Sequence, residues 1–132
     1  ILRRMGELDQ AEEAVQIALA TANSIERPGI GATQAALRLK QGRIEEAVAI
    51  AEQSWAAYQA IGACCYLRIG YLRLVHIECL HAAGRFIDAK RAIDDAKQWL
   101  LDTARGIENE TYRRSYLENV PEHRRIFELA AS

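Results

Sequence analysis

Large apolar and small residues recur along the chain at the spacing of one face of an α-helix. Three glycines, Gly6, Gly42 and Gly84, are each followed by a large apolar residue at offset 2, an alanine at offset 5, an apolar residue at offset 9 and a small residue at offset 12. Offsets of this kind trace a single helical face. The residues at these offsets are, in order, Leu8, Ala11, Val15 and Ala18; Ile44, Ala47, Ala51 and Ser54; and Phe86, Ala89, Ile93 and Ala96. The pattern therefore predicts three related helices, each preceded by a glycine.

The same glycines are the expected turns between antiparallel helices. Glycine accepts the left-handed conformation that ends a helix, and a small residue five positions later allows the next helix to pack closely against its neighbour. Pro28 and Pro121 suit helix starts, whereas Gly62 and Gly106 suit breaks. We expect the end of a first helix up to about Met5, helices over about 8–22, 29–41, 44–60, 64–83 and 86–105, and two shorter helices after them.

The combination of a glycine turn, an alanine five residues later and a small residue seven beyond that alanine resembles the tetratricopeptide (TPR) family. The resemblance implies an all-α fold in which antiparallel helical hairpins stack as a short right-handed superhelix with a C-terminal capping helix pair. We expect a single domain over 1–132, with repeats at about 1–24, 28–62 and 63–106 and a cap over 107–132. The chain departs from the family because it lacks a Trp-x-x-Leu-Gly signature and spaces its glycines 36 and 42 residues apart instead of the usual 34.

Degenerate repeats with long helices are similar to those in the C-terminal regions of large bacterial regulators, where an array follows an ATPase, cyclase or kinase module. The ending from Tyr112 to Phe127 resembles the last segment of such proteins, and the start at Ile1 without a Met leads us to expect a piece of a longer protein. The resemblance implies a non-catalytic protein-interaction or regulatory scaffold module of a bacterial signalling or transcription regulator. Its partner would be a protein, a peptide or the upstream domains of its own chain. The alternative is a helical repeat domain that senses a small effector.

In TPR proteins the first helix of each hairpin lines a concave groove, so the resemblance also points to candidate binding residues. The groove-facing register reads Tyr71, Leu74, Glu78 and His81 in the helix over 64–83, and Ala32, Ala36 and Leu39 in the helix over 29–41. An aromatic ring, an acid and a titratable donor beside a small apolar wall suit an extended or helical peptide. Core packing is the alternative for Tyr71 and Leu74.

The first complete helix predicts a surface for self-association. It presents Leu8, Val15 and Leu19 together with alanines, but only the short stretch up to Met5 precedes it as a hairpin partner. An apolar face that has lost its cover favours contact with another molecule, and a symmetric dimer is the simplest closed arrangement.

Composition and charge exclude several classes of function. The chain has 17 Lys and Arg against 18 Asp and Glu, a formal charge of -1, so no overall field favours nucleic acid or an anionic membrane. The longest apolar stretch, from 64 to 80, is interrupted by Arg68, Arg73, His76 and Glu78, which argues against a membrane span. Three cysteines, an odd count without a disulfide framework, are typical of a reducing compartment, and we expect a cytoplasmic protein.

Catalytic and metal-binding signals are weak. Phosphate loops, nucleophile elbows and His-Glu-x-x-His pairs are missing from the sequence, so we expect neither an enzyme nor a cofactor. His76, Cys79 and His81 resemble a set of zinc ligands, but His81 lies about 140° around the helix from His76. Structural packing is therefore the preferred interpretation of these three residues.

Two further motifs also have a structural interpretation. The adjacent cysteines Cys64 and Cys65 lack the Cys-x-x-Cys spacing of redox pairs and are expected to be small core residues. Two arginine pairs near the C-terminus, at 113–114 and 124–125, have the charge to bind an anion, but glutamates in the same segment balance them. A solvated, salt-bridged cap is therefore the preferred reading of that segment.

Overall fold

The computed structural model describes residues 2–22, 26–61 and 69–131 of the chain. These residues form seven α-helices, and 88% of them are helical with no strand in the described ranges. The helices are α1 (Leu2–Thr21), α2 (Arg27–Lys40), α3 (Ile44–Ile61), α4 (Ile69–Ala82), α5 (Phe86–Arg105), α6 (Glu110–Glu118) and α7 (Pro121–Ala131). The prediction of an all-α protein is confirmed. The expected pair Cys64 and Cys65 lies outside the described residues.

The turns predicted at Gly42 and Gly84 are confirmed. Both glycines are left-handed, with φ of 79° and 77°. After Gly42 the amide of Arg43 donates to the carbonyl of Arg38 at 2.9 Å, and after Gly84 the amide of Arg85 donates to the carbonyl of Leu80 at 3.0 Å. These bonds satisfy carbonyls that the helix end would otherwise leave unpaired, so both turns reverse the chain in the same way.

The turn predicted at Gly6 is wrong. Gly6 lies inside α1, which runs without interruption from Leu2 to Thr21. No side chain or neighbouring backbone lies within 4 Å of the place where its Cβ would be, so nothing at this position requires a glycine. A glycine inside a helix costs only about 1 kcal/mol relative to alanine, and favourable flanking residues outweigh that cost. The expected first hairpin is therefore a single helix in the described residues.

The helices form a row with further helices packed along it. α2 packs on α4 and α4 packs on α7, so these three lie side by side. α3 packs against both α2 and α4, and α5 packs against both α4 and α7. α6 packs on α5 and α7, whereas α1 packs on α2 alone among the described helices. Three pairs of helices therefore have a similar place in the packing: α1 and α2, α3 and α4, and α5 and α7.

The core consists of two clusters, one on each side of α4. The first joins α2, α3 and α4 and includes Ala89 of α5, and the second joins α4, α5 and α7. The close-packing residues of the sequence pattern are buried in α3 and α5, namely Ala47, Ser54, Ala89 and Ala96. α7 contributes Ile126, which is fully buried, whereas α6 buries no residue completely. Of the expected capping pair, α7 is thus part of the core and α6 covers it.

Candidate functional site

An apolar groove of about 640 Å³ runs between α1 and α2. Its α1 wall is formed by Leu8, Ala11, Ala14, Val15 and Ala18. Its α2 wall includes Ile30, Ala36 and Leu37, and Tyr71 of α4 closes one side. We refer to this surface as the α1–α2 groove.

The groove exists because the helical face that is covered in α3 and α5 is open in α1. Ala47 and Ala89, five residues after their glycines, are buried, but Ala11 at the same offset is exposed. Val15 is only 6% exposed because it reaches the floor of the groove against α2. The same sequence pattern is therefore covered by a neighbouring helix in α3 and α5 but is left open in α1.

The packing of the other described helices indicates that a helix fits such a face. α2 lies against the pair α3 and α4, and α4 lies against the pair α5 and α7. No described helix lies in the equivalent position against the pair α1 and α2. The pair α1 and α2 thus lacks the third helix that packs against each of the other two pairs in the described part of the chain.

A partly buried ion pair joins the two walls of the groove. Arg38 of α2 is 8% exposed and donates to both carboxylate oxygens of Glu12 of α1, with its Nη2 lying 2.7 Å from Oε1. The hydrogen bond from Arg38 lowers the pKa of Glu12 from 4.5 to about 2. Gln41 and Glu46 also lie beside the guanidinium, at 3.2 and 3.5 Å. Several neighbouring groups therefore hold the Arg38 guanidinium in place, and its ion pair with Glu12 attaches α1 to α2.

The predicted stripe of α4 is divided among different surroundings. Tyr71 lines the α1–α2 groove, while Leu74 is buried in the second core cluster, the alternative that the sequence left open for it. Glu78 is exposed, and the positive charge of Arg125 on α7 acts on its carboxylate. His81 is also exposed, and its ring meets that of Phe86 edge to face at 5.0 Å. α7 packs on α4, so these four side chains do not form one wall.

The three binding residues predicted on α2 also lie in different surroundings. Ala32 is completely buried in the first core cluster, Ala36 lines the α1–α2 groove, and Leu39 is partly buried against the first cluster. Of the residues predicted for self-association, Leu8 and Val15 line the groove, while Leu19 is half-buried outside its lining. The structure brings together Tyr71, Ala36, Leu8 and Val15 from the two predicted sets.

The remaining sequence candidates have ordinary structural roles. Cys79 is buried in the first core cluster, away from the exposed His81, and no three His, Cys, Asp or Glu side chains of the described residues are placed to hold a metal ion. Arg113 donates to the carbonyl of Ile107 at 2.7 and 2.9 Å. Arg114 and Arg125 pair with glutamates one turn away, at 3.7 and 3.2 Å. These contacts are those of a salt-bridged cap.

A second depression, of about 370 Å³, was missed by the sequence analysis. It lies between α3 and α5 over α4, and Arg73 and His76 of α4 line it together with Trp55 of α3. The Arg73 guanidinium carbon lies 4.6 Å from the ring centroid of Trp55 and 5.0 Å from that of Trp99. The spacing of Arg73 and His76, one turn apart on α4, was the only local signal. We refer to this depression as the Arg73 pocket.

Comparison of the chain with family models, with curated proteins and with solved structures found no match. Within the described ranges, each helix is too short or too polar to span a bilayer. Conclusions about function therefore depend on the geometry of the two surfaces.

Proposed function

We propose that this chain is a non-catalytic protein-interaction module of TPR-like architecture that binds an amphipathic helix in the α1–α2 groove. The helix would belong to a protein partner or to further domains of the same chain, as expected for the regulatory part of a larger regulator. The observation that carries the proposal is that helices of this chain fill the two positions equivalent to the groove.

The filled positions define the chemistry of the occupant. α2 meets α3 with a face of small residues: Ala32 and Ala35 are fully buried, and a Cβ on Gly31 would lie 2.0 Å from the Ser54 hydroxyl oxygen. α4 meets α5 and α7 with Leu74 and Ile77. A partner helix with small and aliphatic residues at a spacing of three and four positions would match the alanine-rich wall of α1.

The groove replaces the concave wall that the TPR resemblance implied. That wall required Leu74 and Ala32 at the surface, and both are buried. The α1–α2 groove combines an apolar floor at Val15 with exposed alanines at its rim, which is the arrangement of a helix-docking surface.

A chimera tests whether the groove accepts a helix. Residues 27–43, which contain α2 and its glycine turn, are joined directly to Leu8 so that the copied Gly42 takes the position of Gly6. If the copied helix docks, it buries apolar surface with a gain on the order of a few kcal/mol after its ordering cost. The melting temperature should then rise by roughly 5 °C or more over that of the unmodified chain.

The matched control carries Ala32→Arg and Ala35→Arg in the copied helix only. These positions face the core in α2, so the control helix cannot pack closely but has the same length and turn. We expect the control to melt like the unmodified chain. Equal melting temperatures for chimera and control would show that the groove does not receive a helix.

A further inference from the structure

The Arg73 pocket contains an arginine, Arg73, that forms no salt bridge with the residues the structure describes. Arg73 is half-buried, and no described residue accepts a hydrogen bond from its guanidinium. Its Nε is fully buried without a hydrogen-bond partner. A guanidinium has five N–H donors, and buried donors are normally paired because leaving them unpaired costs free energy. Arg73 is therefore an exception that needs an explanation other than stability.

The two tryptophans determine which part of Arg73 remains available. The indoles of Trp55 and Trp99 lie against the guanidinium at 4.6 and 5.0 Å, which provides cation–π attraction but no acceptor. Because Nε is buried, the edge formed by the two Nη groups is the one left for a ligand. The edge of a guanidinium matches the two oxygens of a carboxylate in a bidentate pair.

The other charges of the pocket leave one acid between Arg73 and Arg91. Arg85 already binds Glu52 at 2.7 Å and Asp88 at 2.9 Å, so these three groups are committed to one another. Arg91 lines the pocket and has no ion-pair partner among the described residues. Asp95 also lines the pocket and acts on Arg73 at longer range. The lining as a whole has three arginines and three acids and no net charge, but Asp95 is the one acid left to Arg73 and Arg91 among the residues that line it.

His76 and the apolar lining complete the site. The imidazole of His76 stacks on Trp55 with a centroid distance of 6.2 Å, and burial lowers its pKa, which keeps the ring uncharged near neutral pH. A neutral imidazole offers one donor and one acceptor without adding a third cation. Leu80 and Ala92 provide apolar surface beside it. The volume of about 370 Å³ is within the range of small-ligand sites.

We infer that the Arg73 pocket binds a carboxylate group attached to an apolar body, with the carboxylate on the edge of Arg73 and within reach of Arg91. Trp55, Leu80 and Ala92 contact the apolar body. A carboxylate of this kind is supplied either by a small organic acid or by the C-terminus of a peptide, and both present the same chemistry to the arginine. This site is separate from the α1–α2 groove and does not depend on it.

Intrinsic fluorescence reports on the pocket directly, because the chain has two tryptophans and both contact Arg73. The probes are benzoate with benzamide as its neutral counterpart, phenyl phosphate, and a short acetylated peptide ending in Phe with either a free or an amidated C-terminus. We expect saturable fluorescence changes with a Kd below about 10 mM for benzoate or for the free-acid peptide. Binding of benzoate identifies a small acid as the ligand, and binding of the free-acid peptide alone identifies a chain terminus.

Variants separate a ligand site from a structural one. Arg73→Gln should weaken carboxylate binding at least tenfold, and its melting temperature shows whether the fold is kept, since the change also removes the contacts with both indoles. Arg105→Gln, an exposed arginine on α5, is the matched control and should bind like the unmodified chain. Equal binding of the acid and amide probes, tighter binding of phenyl phosphate than of benzoate, or no saturable binding would overturn the inference. If Arg73→Gln does not fold, the acid and amide comparison on the unmodified chain decides.

Discussion

At the scale of single residues, α2 and α3 approach each other closely at Gly31 and Ser54. Ser54 is the small residue that the sequence pattern predicts twelve positions after Gly42, and it is buried. A Cβ on Gly31 would lie 2.0 Å from the Ser54 Oγ and 3.2 Å from its Cβ. Rotation of the hydroxyl could relieve the first contact but not the second, so α2 and α3 would have to separate.

We therefore expect Gly31→Ala to lower the free energy of unfolding by about 1–3 kcal/mol, the usual cost of overpacking. Gly6→Ala is the control, because it makes the same change inside a helix in open space. It should raise the free energy of unfolding by about 0.5–1 kcal/mol through the better helix propensity of alanine. Urea denaturation measures both. A Gly31→Ala protein as stable as Gly6→Ala would contradict the close packing of α2 on α3.

At the scale of elements, the attachment of α1 to α2 depends on the pair of Glu12 and Arg38. The pKa of Glu12 is about 2 in the folded chain against 4.5 for an unperturbed glutamate. Because the folded-state pKa is the lower one, the pair stabilises the fold fully above about pH 4.5. Its contribution is lost as the pH falls from there towards 2.

Glu12→Gln should accordingly destabilise the protein at pH 7 and have a much smaller effect at pH 3. Glu13→Gln, an exposed neighbour on the same helix, is the control and should have little effect at pH 7. Urea denaturation at the two pH values gives the difference. An effect of Glu12→Gln that does not shrink at low pH would rule out the ion pair as the link between α1 and α2.

At the scale of the whole molecule, the α1–α2 groove is an apolar face over which no described helix lies, whereas α2 packs on the pair α3 and α4, and α4 packs on the pair α5 and α7. Such a face favours self-association when no partner helix is present. At about 25 cal/mol per Å² a few hundred Å² of apolar surface contributes several kcal/mol, before the entropic cost of bringing two chains together. Leu8 and Val15 belong to this face as the sequence predicts, but Val15 is already buried within one chain and is a poor position for a charge.

We expect light scattering at high protein concentration to give a mass above that of the 14.8 kDa monomer. Ala14→Arg, on the exposed rim of the groove, should return the mass to the monomer value. Ala20→Arg places the same charge at an exposed position of α1 outside the groove lining and should leave the mass unchanged. A monomeric wild type, or equal effects of the two variants, would exclude the groove as a self-association surface.

The sequence by itself determined the features that depend on near neighbours along the chain. Helical periodicity predicted an all-α fold, and the positions of Gly42 and Gly84 predicted two left-handed turns that the structure contains. The pattern also predicted that Ala47 and Ala89 lie at close helix contacts, and both are buried. Periodicity and the conformational freedom of glycine are local properties, so they can be recognised in a single sequence.

Only the tertiary structure decided which of the three helices with the glycine pattern is covered by another helix. It also decided which side chains contact charged residues such as Arg73. Gly6 has the same flanking pattern as Gly42 but lies inside a helix, so the pattern alone did not distinguish a turn from a continuous helix. Arg73 meets Trp55 and Trp99 from two other helices, a contact between residues that are 18 and 26 positions away in the sequence. Such contacts depend on how separate helices are placed in space. No spacing along the chain encodes them, and for that reason the Arg73 pocket emerged only from the folded molecule, whereas Leu8 and Val15 of the α1–α2 groove were predicted from the sequence.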